Sequence, residues 1–363
     1  MNDSIPPKRD ELEISIFGPG RGECILVHLG DNEWCVVDSC IARDRTEPVA
    51  VEYLRGFKNN AESNIKLIVA THWHDDHIGG LASILGLAPE AKFCCSMALK
   101  SDEFLTLVSA APETISGRSG VDEFASILKQ LENRGQRAPV FAVENKRLLH
   151  LPGTGRPFPI SLMTLSPSNP TIRLALTEIA GLLPKAGEPQ RRVINRSPNH
   201  ASVVLWVEAG GVRALLGADL EHANRTGEGW MAVIDCHQDT TPAQIFKVPH
   251  HGSTGADLPE VWKKMLGANP VAVVTPFTGG RVRLPKATDL DRLATRTARL
   301  YCTAAGAGKP PTRDAAVDRN MRLQLAKRSV IEGQAGHVRI RWSSTDHATI
   351  PAVEVFNGAY HVH

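Results

Sequence analysis

The chain lacks any run of about 18 apolar residues, the length needed to cross a bilayer as a helix, so no membrane insertion is expected. Its start, MNDSIPPKRDELEISIF, puts charges and prolines where a secretory leader needs an unbroken apolar core. Cys-x-x-Cys spacing is also missing. The seven cysteines are odd in number, and adjacent Cys94 and Cys95 do not bridge each other readily, so reduced thiols filling a core, in a cytoplasmic protein, are expected. Large net charge is absent too. Forty-one Lys and Arg against 39 Asp and Glu leave +2, too mild to imply nucleic acid or a membrane surface without local clusters. Gly18-Pro19-Gly20-Arg21-Gly22 lacks the following Lys-Ser/Thr of a phosphate loop and reads as a tight turn between strands.

What is present is enough for a packed α/β chain: 363 residues, 42% of them hydrophobic. Strands are predicted over 13–17, 24–29, 33–38 and 64–70, each a short apolar or alternating segment bounded by polar residues. Helical spacing follows over 78–87, 121–133 and 172–183, with a strand at 160–165 between the last two. The second half repeats the strand logic, with a hairpin of 202–208 and 212–216 about Gly210-Gly211, strands at 245–248, 271–275 and 338–342, and a helix at 289–299. Residues 305–320 are rich in Gly, Pro and basic side chains and read as a mobile loop. Two strand-rich halves with helices outside suggest two packed sheets covered by helices.

The chemistry gathers in His72-Trp73-His74-Asp75-Asp76-His77, which follows a buried strand and precedes a helix. In extended backbone, residues two apart face one side, so His72 and His74 can grip one ion. Asp76 and His77, at the turn into the helix, point elsewhere and can serve a second. Imidazole and carboxylate donors suit zinc, manganese or iron. Trp73 either stacks on a base or packs beneath the loop. His361 and His363 sit at a chain end, where fraying disfavours ligation.

HWHDDH with Gly79-Gly80 after it resembles the HxHxDH signature of the metallo-β-lactamase family. The resemblance implies an α/β fold, a four-layer αβ/βα sandwich of two mixed sheets packed face to face with helices outside. It implies a single domain over 11–345 with an insertion around 88–190, and terminal extensions at 1–10 and 346–363. It places a metal-bridging aspartate at Asp219, where a strand runs into Gly217-Ala218-Asp219, and a last ligand histidine in His250-His251, after Phe246-Lys247-Val248-Pro249. His250 is taken as the ligand and His251 as the proton donor, although either order fits. Asp38, closing EWCVVD, resembles the family's early aspartate that orients a ligand histidine.

Four features resemble the hydrolase domain of the ComEC/Rec2 competence proteins, without their membrane part: the Gly20-Arg21-Gly22-Glu23 turn, Asn199-His200-Ala201-Ser202, the GAD triplet and KVPHHGS. That likeness spans about 12–303 and is thin over 88–190. Where many relatives carry a third histidine for the first metal, the competence group carries asparagine. Here Asn199-His200 leaves two options: His200 completes the ligand set, or Asn199 holds a polar contact while His200 faces solvent. The resemblance implies two divalent ions, Zn or Mn, and hydrolysis by a metal-bridging hydroxide that Asp76 or Asp219 orients, with Ser253 helping to bind an anion. The substrate expected is a phosphodiester in nucleic acid or a nucleotide, given the scattered basic residues Arg191, Arg192, Arg281, Arg283, Lys286 and those from 313 to 328. Hydrolysis of another ester, lactone or thioester, or a non-catalytic scaffold or regulatory role, are the alternatives. Protein partners and oligomeric state are not legible.

Overall fold

A computed structural model of the chain describes residues 4–18, 22–42, 46–100, 104, 120–135, 138–181, 198–223, 225–237, 241–279, 283–303, 317, 319, 335–344 and 351–362. The expected loop at 305–320, apart from 317 and 319, and the basic residues at 191, 192 and 281 lie outside them, as do most of those from 313 to 328.

The amino-terminal half begins with three strands, β1 (Glu11–Gly18), β2 (Cys24–His28) and β3 (Trp34–Val37), then α1 (Val49–Gly56) and β4 (Ile65–Ala70). Two short helices follow, α2 (Asp75–Ile78) and α3 (Leu81–Leu87), then β5 (Lys92–Ser96), α4 (Gly120–Asn133), β6 (Val140–Ala142), β7 (Lys146–Leu151), β8 (Ile160–Thr164) and α5 (Asn169–Ala180). The carboxy-terminal half contains β9 (Leu205–Ala209), β10 (Val212–Leu216), α6 (Gly229–Cys236), β11 (Ala243–Lys247), α7 (Pro259–Lys264), β12 (Leu266–Val274), α8 (Ala287–Ala294), β13 (Leu300–Cys302), β14 (Gly336–Ser343), β15 (Ala352–Phe356) and β16 (Tyr360–His361).

These strands make two mixed eight-stranded sheets, ordered β15-β14-β1-β2-β3-β4-β5-β6 and β16-β13-β12-β11-β10-β9-β8-β7. The two-residue period of each strand separates the layers. Cys35, Val37, Leu67, Val69 and Cys94 turn inward to meet Leu205, Val207, Ala214, Ile245 and Val273 of the second sheet. Their neighbours Trp34, Val36, Ile68 and Cys95 pack under α1, α3 and α4, while Leu215, Phe246, Ala272 and Val274 pack under α6, α7 and α8. Each fully buried aliphatic or aromatic side chain contributes about 1.5–3 kcal/mol, so both faces of each sheet hold the sandwich together. The four-layer αβ/βα arrangement is the one expected. All seven cysteines are free, six buried and Cys236 exposed. Among the described residues no helix is long and apolar enough to cross a membrane.

Two expectations about organisation change. The stretch from 88 to 190 is no appendage: its described residues supply β5 and β6 to one sheet and β7 and β8 to the other. Residues 352–361, expected within a terminal extension, add β15 beside β14 and β16 beside β13. Both sets include sheet-edge strands that are only half covered, so their apolar alternation is weak. The helix expected at 289–299 ends at Ala294, and β13 takes up the chain from Leu300.

Candidate metal centre

Strands β3, β4, β5 and β6 run parallel, and so do β10, β11, β12 and β13. The segments leaving β3, β4, β10, β11 and β12 therefore emerge on one rim of the sandwich, the usual place for a site in parallel sheets. They carry Asp38, the HWHDDH run, Asp219, the two adjacent histidines and Thr275.

In the inner part of the site His77, Asp219 and His251 are buried and Asp76 is half-buried. His77 Nε2 lies 3.6 Å from Asp76 Oδ2 and 3.4 Å from Asp219 Oδ2. His251 Nε2 lies 3.5 and 3.6 Å from the same two oxygens. Donors about 2.0–2.2 Å from a tetrahedral cation stand about 3.3–3.6 Å from each other, and the four imidazole–carboxylate separations match that range. His77 Nε2 and Asp219 Oδ1 are buried with no hydrogen-bond partner among the described residues, and a cation would satisfy such atoms. The residues present fit a divalent ion.

The fold fixes the tautomer of both histidines. His77 Nδ1–H donates to Asp38 Oδ2 at 2.7 Å, and Asp38 accepts twice more from Thr71, at 2.8 Å from its N–H and 2.7 Å from its hydroxyl. His251 Nδ1–H donates to the Thr275 carbonyl at 2.9 Å. Each ring is left with Nε2 facing the carboxylates, the usual way a protein orients ligand imidazoles. Burial disfavours the protonated form of both rings. The carboxylates outweigh it: Asp219, Asp76, Asp38 and Glu23 raise His77 well above its ordinary pKa, and Asp219, Asp76 and Glu23 raise His251. Burial works against the charged Asp219 as well, yet His77 and His251 hold it well below the carboxylate range.

The outer part is sparser. His72 Nε2 and His74 Nδ1 stand 3.1 Å apart, and the His72 ring centre lies 4.2 Å from that of His77. Burial lowers the pKa of both His72 and His74, so they stand as neutral imidazoles able to take a cation. Trp73, between them in sequence, is buried and meets Phe104 edge-on at 5.7 Å, so it packs beneath the loop. Asp75 accepts from the Gly120 N–H at 2.6 Å and ties the loop to α4.

The two adjacent histidines are placed the other way round from the expectation. His250, expected as the ligand, pairs through Nδ1 with Glu221 Oε1 at 2.7 Å and Ser253 Oγ at 3.1 Å, and its Nε2 lies 3.2 Å from Asn199 Nδ2. His251, expected as the proton donor, is the one beside Asp76 and Asp219. Both residues have left-handed backbone, φ 44° and 52°, which turns two consecutive side chains in directions that strand alternation would not predict. Arg292 holds this turn by donating to the Gly252 carbonyl at 2.6 Å, and is itself anchored by Asp257 and Asp289.

Neither expected option for Asn199-His200 describes the pair fully. His200 Nε2 faces Glu178 Oε2 at 3.4 Å and lines a cavity of about 20 Å³ with His72, Trp73, Leu99 and Ile179. Asn199 Nδ2 reaches Glu221 and His250, while its Oδ1 is buried without a partner among the described residues.

Glu23, Lys247, Glu221, Thr71, Thr275 and Arg292 were not singled out by sequence as functional. Lys247 had one signal, a lone cation inside the apolar strand AQIFK. Glu23 had another, a carboxylate directly after a glycine turn and before an apolar strand.

Residues 17–265, well over half of the chain, match the model of the Metallo-beta-lactamase superfamily. No curated protein matches the chain. Solved structures similar to it include a mutant metallo-beta-lactamase from Cronobacter sakazakii, 13% identical, covering 64% of this chain and 75% of that one at a TM-score of 0.33. MEM-A1, a subclass B3 metallo-beta-lactamase from a soil metagenome library, is 12% identical over 72% of this chain and 84% of its own, with a TM-score of 0.32. MIM-1 from Novosphingobium pentaromativorans is 15% identical over 70% and 82%, also at 0.32.

Proposed function

The chain belongs to the metallo-beta-lactamase superfamily, generally metal-dependent hydrolases, and from that premise we propose that it cleaves phosphodiester bonds in nucleic acid or a nucleotide. One observation carries the hydrolytic reading: the Nε2 atoms of His77 and His251 each stand 3.4–3.6 Å from a carboxylate oxygen of Asp76 and of Asp219, beside a second pair in His72 and His74. Two divalent cations, zinc or manganese, would supply Lewis-acid stabilisation of developing negative charge and a nucleophile at neutral pH.

The chain's own groups do the rest. Asp76 and Asp219 accept from an attacking water and aim it. Asp38, held by Thr71, keeps His77 in the tautomer that presents Nε2. His250, held through Nδ1 by Glu221, stands at the rim where it can pass a proton to a leaving oxygen. Ser253 Oγ beside it is a donor for an anionic oxygen. The phosphodiester choice rests on the sequence likeness of KVPHHGS and Asn199-His200-Ala201-Ser202 to the competence-protein hydrolases, and on these rim donors.

Hydrolysis of an ester, lactone or thioester by the same donors is the second reading; the apolar cavity beside His72, about 20 Å³, has room for about one water and does not select it. The test is a substrate panel with the Zn²⁺- or Mn²⁺-loaded protein: bis-p-nitrophenyl phosphate, DNA and RNA against esters, lactones and thioesters. Turnover of the phosphodiesters, abolished in Asp76→Ala, is expected. Turnover confined to the acyl compounds would overturn the phosphodiester reading, and activity surviving in His74→Ala and Asp76→Ala would overturn the metal mechanism.

A further inference from the structure

Glu23 and Lys247 form an ion pair at the seam between the two sheets, directly behind the inner part of the metal centre. Lys247 is fully buried at the end of β11, and lysine is almost never fully buried unless paired. Its Nζ lies 2.5 Å from Glu23 Oε2 and donates to the Ala218 carbonyl at 3.1 Å. The next carboxylate is Asp219, whose Oδ1 is 4.0 Å from Nζ, beyond hydrogen-bond reach. Asp219 Oδ1 has no hydrogen-bond partner among the described residues, although an ammonium with a third donor stands that close.

Glu23 is placed by backbone as well as by charge. Its N–H donates to the Asp76 carbonyl at 3.1 Å, across a Gly22 with φ 134°. A Cβ at Gly22 would come within 2.4 Å of that carbonyl, so only glycine permits the approach. Glu23 Oε2 also accepts from the Thr275 hydroxyl at 2.5 Å. Thr275 is the residue whose carbonyl fixes His251. The Glu23 oxygens sit on the Nδ1 edges of His77 and His251, 3.8 and 3.9 Å away, while Asp76 and Asp219 face the Nε2 edges. Glu23 therefore stands within 4.8 Å of His77, Asp219 and His251, but behind the rings.

Resting on the metal reading above, we propose that Glu23 is a positioning residue that holds the Lys247 ammonium off Asp219, so that this carboxylate stays open to the cations instead of being taken by an internal salt bridge. A buried ammonium left without its partner carries a large desolvation cost and takes the nearest carboxylate. Here that is Asp219, on the atom that has no partner. Glu23 thus protects metal binding without touching the metal.

Glu23 and Lys247 make opposite demands, and a double-variant cycle read by metal binding separates them. Metal retained after dialysis is measured by elemental analysis, and Zn²⁺ affinity by titration calorimetry. Glu23→Gln keeps the shape and removes the charge; it should weaken Zn²⁺ binding at least about tenfold, the scale on which groups around metal ligands act. Lys247→Met removes the competitor and should leave affinity within about threefold, below that scale. Glu23→Gln combined with Lys247→Met should recover the affinity lost in Glu23→Gln. If Glu23→Gln does not fold, Lys247→Met and the double variant still decide: a tenfold loss in either overturns the proposal and makes Glu23 a ligand or Lys247 a direct support. Unchanged affinity in a folded Glu23→Gln overturns it as well. Unmodified protein that retains no Zn²⁺ would instead sink the metal reading, and this proposal with it.

Discussion

The inner and outer parts of the metal centre share Asp219's neighbourhood but are built to different standards. Around the inner position, Asp76, His77, Asp219 and His251 are backed by Asp38, Thr71, Thr275, Glu23 and Lys247, and nearly all of these are buried. Around the outer position stand His72 and His74, with Asn199 and His200 each engaged elsewhere on one side. A donor set whose two imidazoles are each held by a further hydrogen bond loses little freedom when an ion arrives. A set of two imidazoles must recruit a third donor. The difference teaches that the fold itself braces the inner imidazoles, while the outer pair would need a further donor; Asn199 Oδ1 is buried without a partner among the described residues.

The largest effect should come from the group that belongs to both parts. Asp219→Ala should empty both positions and reduce hydrolysis on the order of 10⁴-fold, the scale seen when one member of a unit-acting site is removed. Elemental analysis and initial rates would check it, and one full equivalent of retained metal would break the assignment of Asp219 as the shared ligand. Next, Asp38→Ala should weaken only the inner position, by about 10–100-fold in Zn²⁺ affinity, because His77 loses the acceptor that sets its tautomer. A two-phase calorimetric titration would separate the positions, and equal weakening of both would dissolve the comparison.

At the outer position, Asn199→Ala should cost about tenfold in affinity, a loss at the low end of the range for groups around a metal. His200→Ala, whose Nε2 faces Glu178, should change affinity by less than about twofold, below the range for groups around a metal. The reverse order would make His200 the third ligand.

The smallest effect expected is on stability in the metal-free state. His77 and His251 have folded pKa values raised above 6.5, so their contribution is complete below about pH 6.5 and is lost as pH rises through the raised values. His72 and His74 have lowered values, so the fold must charge them on acidification and loses stability below about pH 6.5. The melting temperature of the metal-free protein should therefore peak near pH 6.5, and saturating Zn²⁺ should flatten its alkaline arm. A melting temperature that climbs steadily from pH 6.5 to 9 without metal would contradict the inner network.

Much of this was legible along the chain because the signals are local. His72, His74, Asp76 and His77 lie within one turn, and Asp38 and Asp219 close apolar strands whose period is plain. The choice between His250 and His251 was not legible, because it depends on two left-handed residues and on Arg292, which reaches the Gly252 carbonyl from α8. β15 and β16 escaped notice for another reason. Edge strands bury too little to show a clear apolar period, and AVEVF reads as a tail until β14 is beside it.

The sequence by itself determined that two sheets would pack with helices outside and that a metal-binding run would follow the fourth strand, since burial period and ligand spacing are properties of neighbouring residues. Only the tertiary structure decided which histidine faces Asp76 and Asp219 and which stands at the rim. It alone brought Glu23 of one half against Lys247 and Thr275 of the other, because a buried charge finds its partner only when the two sheets close over it.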